Sequence, residues 1–350
     1  MAYRTWTYDV LSSLAASRLA KRLPVYIHFA CVRGALKLGY APPPRPRAHA
    51  EATAAFVKYL QLDEESASRT ARSYSDAFYL SGLHTWYLVN SDERAISTYL
   101  DERVTLVGSE NLLTATVQGP VIAFTGHFGL PVAGVLALSA VLRERCRVNT
   151  FFAPPDENPA TAGFRETFER SRLNIRPLPV GPRGTIQALR ALRDGELLTM
   201  QPDVFDNRTG SAAVVPFLNG LTFAMTGTAY LAIRSGATLL PVHTTLEPGG
   251  RLVVNIGKPI SYVQTGDSEE HLIRLTELLF AELERAVRAR PEQWVYWQTL
   301  SERMVPGVTI APAARHTIAA WKQAYEQYRT IAASIIPCLA EPRFAPFSEN

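Results

Sequence analysis

A chain of 350 residues, 47% of them hydrophobic and 19% charged, has the apolar mass for one large domain or two smaller ones, as an ordinary globular protein does. Its 36 basic and 32 acidic residues leave a net charge of +4, which suits anionic partners such as carrier proteins, coenzyme A, phospholipid surfaces or RNA without choosing among them. Three cysteines, Cys31, Cys146 and Cys338, are odd in number, far apart and without CxxC spacing, which argues against a disulfide framework or a zinc site and makes a reducing cytosol the default compartment.

In chain order, the start from Met1 to Trp6 lacks the apolar stretch and cleavage site of a secretion signal. Leu23 to Val32 is only roughly half as long as a membrane span. The basic residues around it, Arg18, Lys21, Arg22, Arg33 and Lys37, read first as the solvated face of an ordinary helix and second as a basic amphipathic helix on a membrane surface. Breaks at Pro24, at the linker from Ala41 to Pro46 and at Leu62 to Ser66 divide a helical N-terminal region over 1–104. Strands and helices then alternate. Strands are predicted at Pro120 to Thr125, Arg147 to Phe152, Ile175 to Leu178, Glu196 to Gln201, Thr238 to Thr244 and Leu252 to Ile256. Helices are predicted at Pro131 to Leu142, Ala160 to Arg172, Thr185 to Arg193, Ala224 to Ser235 and Glu269 to Val287. This alternation predicts an α/β domain over 105–303 with a mostly parallel sheet flanked by helices. Residues 304–350 follow as a C-terminal helix, from Ala313 to Ile335, and a tail. Trp321, Tyr325 and Tyr328 share one face of it and would pack on the catalytic domain or on a second subunit.

Chemistry is expected where strands end, because open α/β sheets bind ligands at the carboxyl ends of their strands. His127 emerges there after Val121 to Phe124, and its imidazole can accept a proton near neutral pH. Gly126 and Gly129 would let a substrate approach the backbone closely; a histidine satisfied by backbone at a turn is the structural alternative. Asp203 follows the strand Leu197 to Met200 at the same edge. Asn158 precedes a helix that it would cap, or touches a ligand. Thr226, Gly227 and Thr228 open the helix after the Phe217 strand, where amides can hold an oxyanion or phosphate and where Thr226 is equally a plain N-cap. Serine-hydrolase, Walker and dinucleotide glycine motifs are missing, and Cys146 opens a strand away from the active edge. No metal and no cofactor is expected.

Gly126-His127-Phe128-Gly129, Asp156-Glu157-Asn158-Pro159, Gln201-Pro202-Asp203, the segments Val214 to Gly220, Thr226 to Ala232 and Ser235 to Val242, and Pro291-Glu292-Gln293-Trp294 together resemble the bacterial lipid A biosynthesis lauroyl/myristoyl acyltransferases and the related phosphatidylinositol mannoside acyltransferases. The resemblance implies the α/β layer of the glycerolipid acyltransferases. It also implies transfer of an acyl group from a thioester, on acyl carrier protein or coenzyme A, to a hydroxyl or amine. In that family a histidine and an Asp or Glu with four residues between them form the catalytic pair. His127 matches the histidine, but position 132 holds Val132. Either Asp203 or Asp206 replaces the acid, or His127 acts unassisted on a good nucleophile such as an amine, or transfer is lost and the fold binds an acyl chain. The family's acyl pocket is apolar, and Phe124, Phe128, Phe151, Phe152, Phe217 and Phe223 are candidates to line it beside Gly126 and Gly129. Core packing is the alternative for most of these phenylalanines. The resemblance places an anion-binding arginine among Arg165, Arg170 and Arg172, of which Arg170 stands at about the family distance from Asn158-Pro159. The family generally carries a membrane-spanning N-terminus. A small-molecule or carrier-bound acceptor, as in secondary metabolism, is therefore expected beside a lipid one, in the cytoplasm or peripherally on the inner membrane face. DNA is not an expected partner. Two readings of other classes are a degenerate acyl- or carrier-binding protein and aminoacyl transfer from aminoacyl-tRNA.

Overall fold

Asp63 and Asp92 start two helices by one device: their carboxylates accept from the amides of Ser66 at 2.8 Å and Ala95 at 2.9 Å, satisfying donors that a helix leaves open at its first turn. They open α2 (Glu64–Val89) and α3 (Glu93–Arg103), which follow α1 (Pro46–Ala55) and its π-helical extension Phe56–Leu60. The computed structural model describes residue 27 and residues 46–143, 145–153, 160–204, 212–247, 250–262 and 269–305. The expected basic N-terminal helix, most of the proline linker, Cys31, Cys338, Asp156, Asn158, Asp206 and the helix with Trp321, Tyr325 and Tyr328 lie outside the described residues.

The α/β layer runs β1 (Val104–Val107), α4 (Ser109–Gln118), β2 (Val121–Phe124), α5 (Pro131–Leu142), β3 (Val148–Phe152), α6 (Ala160–Ser171), β4 (Ile175–Pro179), α7 (Pro182–Arg193) and β5 (Leu197–Met200). Then come the hairpin β6 (Ala212–Phe217) and β7 (Gly220–Met225), α8 (Gly227–Ser235), β8 (Thr238–Leu246), β9 (Leu252–Ile256) and α9 (Glu269–Ala289), with short 3-10 turns beyond. Seven strands form one sheet in the order β1-β9-β8-β2-β5-β3-β4, parallel except where β9 meets β8. All four residues of β2 are buried, as a strand covered on both faces requires. Leu112, Ala137 and Leu142 of α4 and α5 pack on one face of the sheet. Ala188, Leu192, Leu231, Leu275 and Leu279 of α7, α8 and α9 cover the other. A third cluster joins the N-terminal helices to the hairpin and the 3-10 turns, bringing Phe56, Tyr59 and Tyr74 against Phe217, Trp294 and Trp297. Tyr74 donates its hydroxyl to the Val295 carbonyl at 2.8 Å.

The predicted α/β class and mostly parallel sheet are those of the structure. Two corrections concern elements. β1 and α4 were not anticipated, because β1 has only four residues at a sheet edge and alternates between half-buried and exposed. The helix expected from Ala224 begins at Gly227, and Gly220–Met225 is instead the second strand of the hairpin. Its turn places Leu218 at φ 53°, so the left-handed position is filled by a residue that carries no glycine signal. Among the described residues no helix is long and apolar enough to cross a membrane.

Candidate active site

β2 and β5 pair in parallel with Phe124 opposite Met200, and Thr125 extends the ladder by donating to the Met200 carbonyl at 2.9 Å. His127 and Asp203 each stand three residues past that last pair. The two loops therefore leave the sheet side by side. His127 Nδ1 lies 2.8 Å from Asp203 Oδ1, and the His127 amide donates to Asp203 Oδ2 at 2.7 Å. Trp294 Nε1 donates to the same Oδ2 at 2.9 Å. The Asp203 side chain is 2% exposed and that of His127 25%, so the carboxylate is sealed and the imidazole reaches solvent. Burial pushes the Asp203 carboxyl up. The charge of His127, hydrogen bonds from its ring and amide, and the Trp294 indole outweigh burial and hold the carboxyl below its usual range. An ionised carboxylate only accepts, so Nδ1 carries a ring proton, and the neutral tautomer of this ring is the one whose Nε2 offers a lone pair to solvent.

The histidine loop is latched from the far end of the chain. Gly129 donates to the Gln293 carbonyl at 3.0 Å and Val295 donates to the His127 carbonyl at 3.1 Å, while Phe128 and Trp294 form a bridge. Gln293 in turn accepts from the Leu246 amide at 3.0 Å and donates to the Leu246 carbonyl at 3.2 Å, tying the latch to the end of β8. Gly129 sits at φ +49°, and a Cβ there would meet the Thr244 carbonyl oxygen at 2.5 Å. A Cβ on Gly126 would meet Leu283 Cδ1 at 2.4 Å. The backbone contact and the positive φ account for Gly129, whereas at Gly126 the near atom is the end of a flexible side chain. Phe128 is buried edge-on to His243, ring centroids 5.3 Å apart.

The profile of the bacterial lipid A biosynthesis acyltransferase family matches residues 86–300. The chain belongs to that family. Comparison with curated proteins finds no match. Membership makes the protein an acyltransferase, with an acyl donor and an acceptor. Val132, where the resemblance to the family leads us to expect an acid, is buried in the first turn of α5 in a cluster with Leu88, Leu136 and Phe168. That setting has no use for a charge.

The other expected contacts are dispersed. Arg170 donates from Nε to the Ser91 carbonyl at 3.0 Å and from its terminal nitrogen to the Val89 carbonyl at 2.5 Å; it holds the open carbonyls where α2 ends. Arg165 and Arg172 pair with Glu169 and Glu93 on the surface. Thr226 is the buried N-cap residue of α8 and makes no side-chain capping bond, and Gly227 is exposed with open space where a Cβ would stand. Because α8 ends just before Thr238, which pairs with Val121 at the start of β2, its N-terminus points to the same sheet edge as His127. Among the described residues no cluster of His, Cys, Asp and Glu could hold a metal ion.

Two site residues escaped the sequence reading. Trp294 stands in the segment Pro291 to Trp294, whose pattern carries no sign of a bond to Asp203. His243 had no signal at all. It lies on β8, where among the described residues neither ring nitrogen has a hydrogen-bond partner, and Glu282 Oε1 stands 4.0 Å from Nε2. Burial pushes His243 down to about 4; the Asp203 charge raises it and Arg285 lowers it further. In the unfolded chain it titrates near 6.5. The unfolded state therefore binds the extra proton between these values, and stability falls as pH drops from 6.5 to about 4, by about 3 kcal/mol from this group. His84, pushed by burial to about 3, adds to the loss. Urea unfolding at pH 7 and pH 4.5 should show a smaller acid loss for His243→Leu than for the wild type, and equal losses would refute the assignment.

Proposed function

We propose that the protein moves an acyl group from a thioester, on acyl carrier protein or coenzyme A, to an amine or hydroxyl of a small-molecule, carrier-bound or lipid acceptor. His127 is the general base and Asp203 its orienting carboxylate. The observation that carries this reading is the paired contact of Asp203 with the ring and amide of His127, at 2.8 and 2.7 Å, which supplies the acid missing at Val132. His127 Nε2 takes the proton of the acceptor as its nitrogen or oxygen bonds to the thioester carbon. The ionised Asp203 stabilises the resulting imidazolium. The tetrahedral oxyanion collapses, the carbon–sulfur bond breaks, and the imidazolium returns the proton to the departing thiolate, leaving acylated acceptor and free thiol. The amides opening α8 favour negative charge at that edge and suit the oxyanion.

The test incubates the purified full chain with acyl-coenzyme A and acyl carrier protein thioesters and a panel of amines and alcohols, following thiol release. Release that requires an acceptor is expected. Absence of release with every pair, together with tight binding of the thioester, would turn the reading toward a binding protein. Turnover of aminoacyl-tRNA that ribonuclease abolishes would reassign the donor.

A further inference from the structure

Arg303 brings to this site a charge that the proposed mechanism leaves unused. Its backbone is fixed by the hairpin, the carbonyl accepting from the Phe223 amide and from Thr222 Oγ1, each at 3.0 Å. Its guanidinium donates to the Asp203 carbonyl oxygen and lies over the Tyr296 ring, Cζ 3.5 Å from the centroid. Tyr296 in turn meets the His127 ring edge-on at 4.9 Å between centroids. The two separations bound the gap from imidazole to guanidinium by their sum, and once a hydrogen bond is taken off each end the remainder is a span of a few covalent bonds.

Among the described residues the partners of the guanidinium are the Asp203 carbonyl and the Tyr296 side chain, both neutral, since burial and the Asp203 charge keep the Tyr296 phenol up at about 12. The Asp203 carboxylate is committed to His127 and Trp294. Arg303 also borders a narrow hollow beside Asp203 and Trp294, with Val204, Phe217 and Leu300 around it. A guanidinium has five donors in a planar fork matched to carboxylate and phosphate, and stacking on an aromatic face fixes its plane in advance.

We propose that Arg303 is the anion-binding subsite for the acceptor: the molecule that receives the acyl group carries a carboxylate or phosphate a few bonds from its nucleophilic nitrogen or oxygen. This rests on the acyl-transfer reading with His127 as base. The donor does not supply the anion, because its nearest phosphate lies at the far end of the pantetheine arm from the thioester. An α-amino acid meets the requirement, as does a phosphorylated amino or polyhydroxy alcohol.

The experiment compares product analogues that need no turnover to bind. Calorimetry measures N-dodecanoylglycine against N-dodecanoylglycinamide, and lysophosphatidate against monoacylglycerol, on the wild type, Arg303→Gln and Arg303→Lys. The wild type should prefer the anionic member of one pair by about tenfold or more, the scale of a charge-assisted hydrogen bond. The preference should vanish in Arg303→Gln and partly survive in Arg303→Lys. Which pair is discriminated separates carboxylate from phosphate. Equal affinities within both pairs for the wild type would overturn the subsite even if a variant failed to fold, as would a preference that survives Arg303→Gln. A kcat that falls alike for neutral and anionic acceptors in Arg303→Gln would also overturn it, by making Arg303 an oxyanion contact. Turnover of neutral amines with no anion preference would refute the subsite alone, whereas anion preference with no turnover of any acceptor would refute the acyl-transfer reading alone.

Discussion

Replacing His127 with Ala lowers acyl transfer by about a hundredfold to ten-thousandfold, the range a positioned general base supplies, and Asp203→Asn lowers it nearly as far. The second effect follows from the donors around Asp203. The His127 amide and the Trp294 indole both donate to Oδ2, so the single amide oxygen of an asparagine must face them. Its NH2 then faces His127 Nδ1, which has to accept, and the ring proton moves to Nε2. The nitrogen that should take the acceptor's proton is blocked while the ring stays in place. Because both substitutions disable one unit, the double variant should be no slower than His127→Ala. Acceptor-dependent thiol release measured for the wild type, both single variants and the double variant checks this. Losses that multiply would mean that Asp203 and His127 act separately.

That His127 and Asp203 leave the sheet at one edge was legible from local pattern alone. The apolar runs of β2 and β5 stop abruptly, and His127 and Asp203 follow at the same offset. Their contact needed one more fact, that β2 and β5 are neighbours in the sheet, which the sequence order hides because β3, β4 and their helices intervene. Trp294 was harder to place for the same reason, since its bond to Asp203 spans 91 residues. The glycines show a different limit. Gly126 and Gly129 read as openings for substrate, and at Gly129 the structure adds a second demand for glycine, a positive φ and the Thr244 carbonyl oxygen, a group more than a hundred residues away in the chain. Arg170 had the charge and spacing of a ligand contact, but the demand it meets is that of open carbonyls at the end of α2. Local chemistry in a sequence thus indicates which residues can act. The long-range contacts decide which of them are already committed.

Trp294 joins the core to the chemistry, and its variants should separate the two. Its ring packs against Trp297, Phe217 and Tyr296 with centroids 5.2, 5.6 and 5.8 Å apart, so Trp294→Ala should cost about 3–5 kcal/mol of stability. Trp294→Phe retains an aromatic ring and deletes the indole donor to a buried carboxylate, a loss of about 1.5–3 kcal/mol. That second loss depends on pH in a fixed sense. The folded Asp203 carboxyl sits below its unfolded value, so its stabilisation is present above about pH 4 and disappears as pH falls through the folded value. Removing one of the bonds that lowers it shrinks this contribution. The stability difference between the wild type and Trp294→Phe should therefore be widest near pH 7 and narrow in acid. Urea unfolding of both proteins at pH 7, and at the lowest pH where each still folds, measures it. A difference constant with pH would make Trp294 a packing residue alone, with the hold on Asp203 coming entirely from His127.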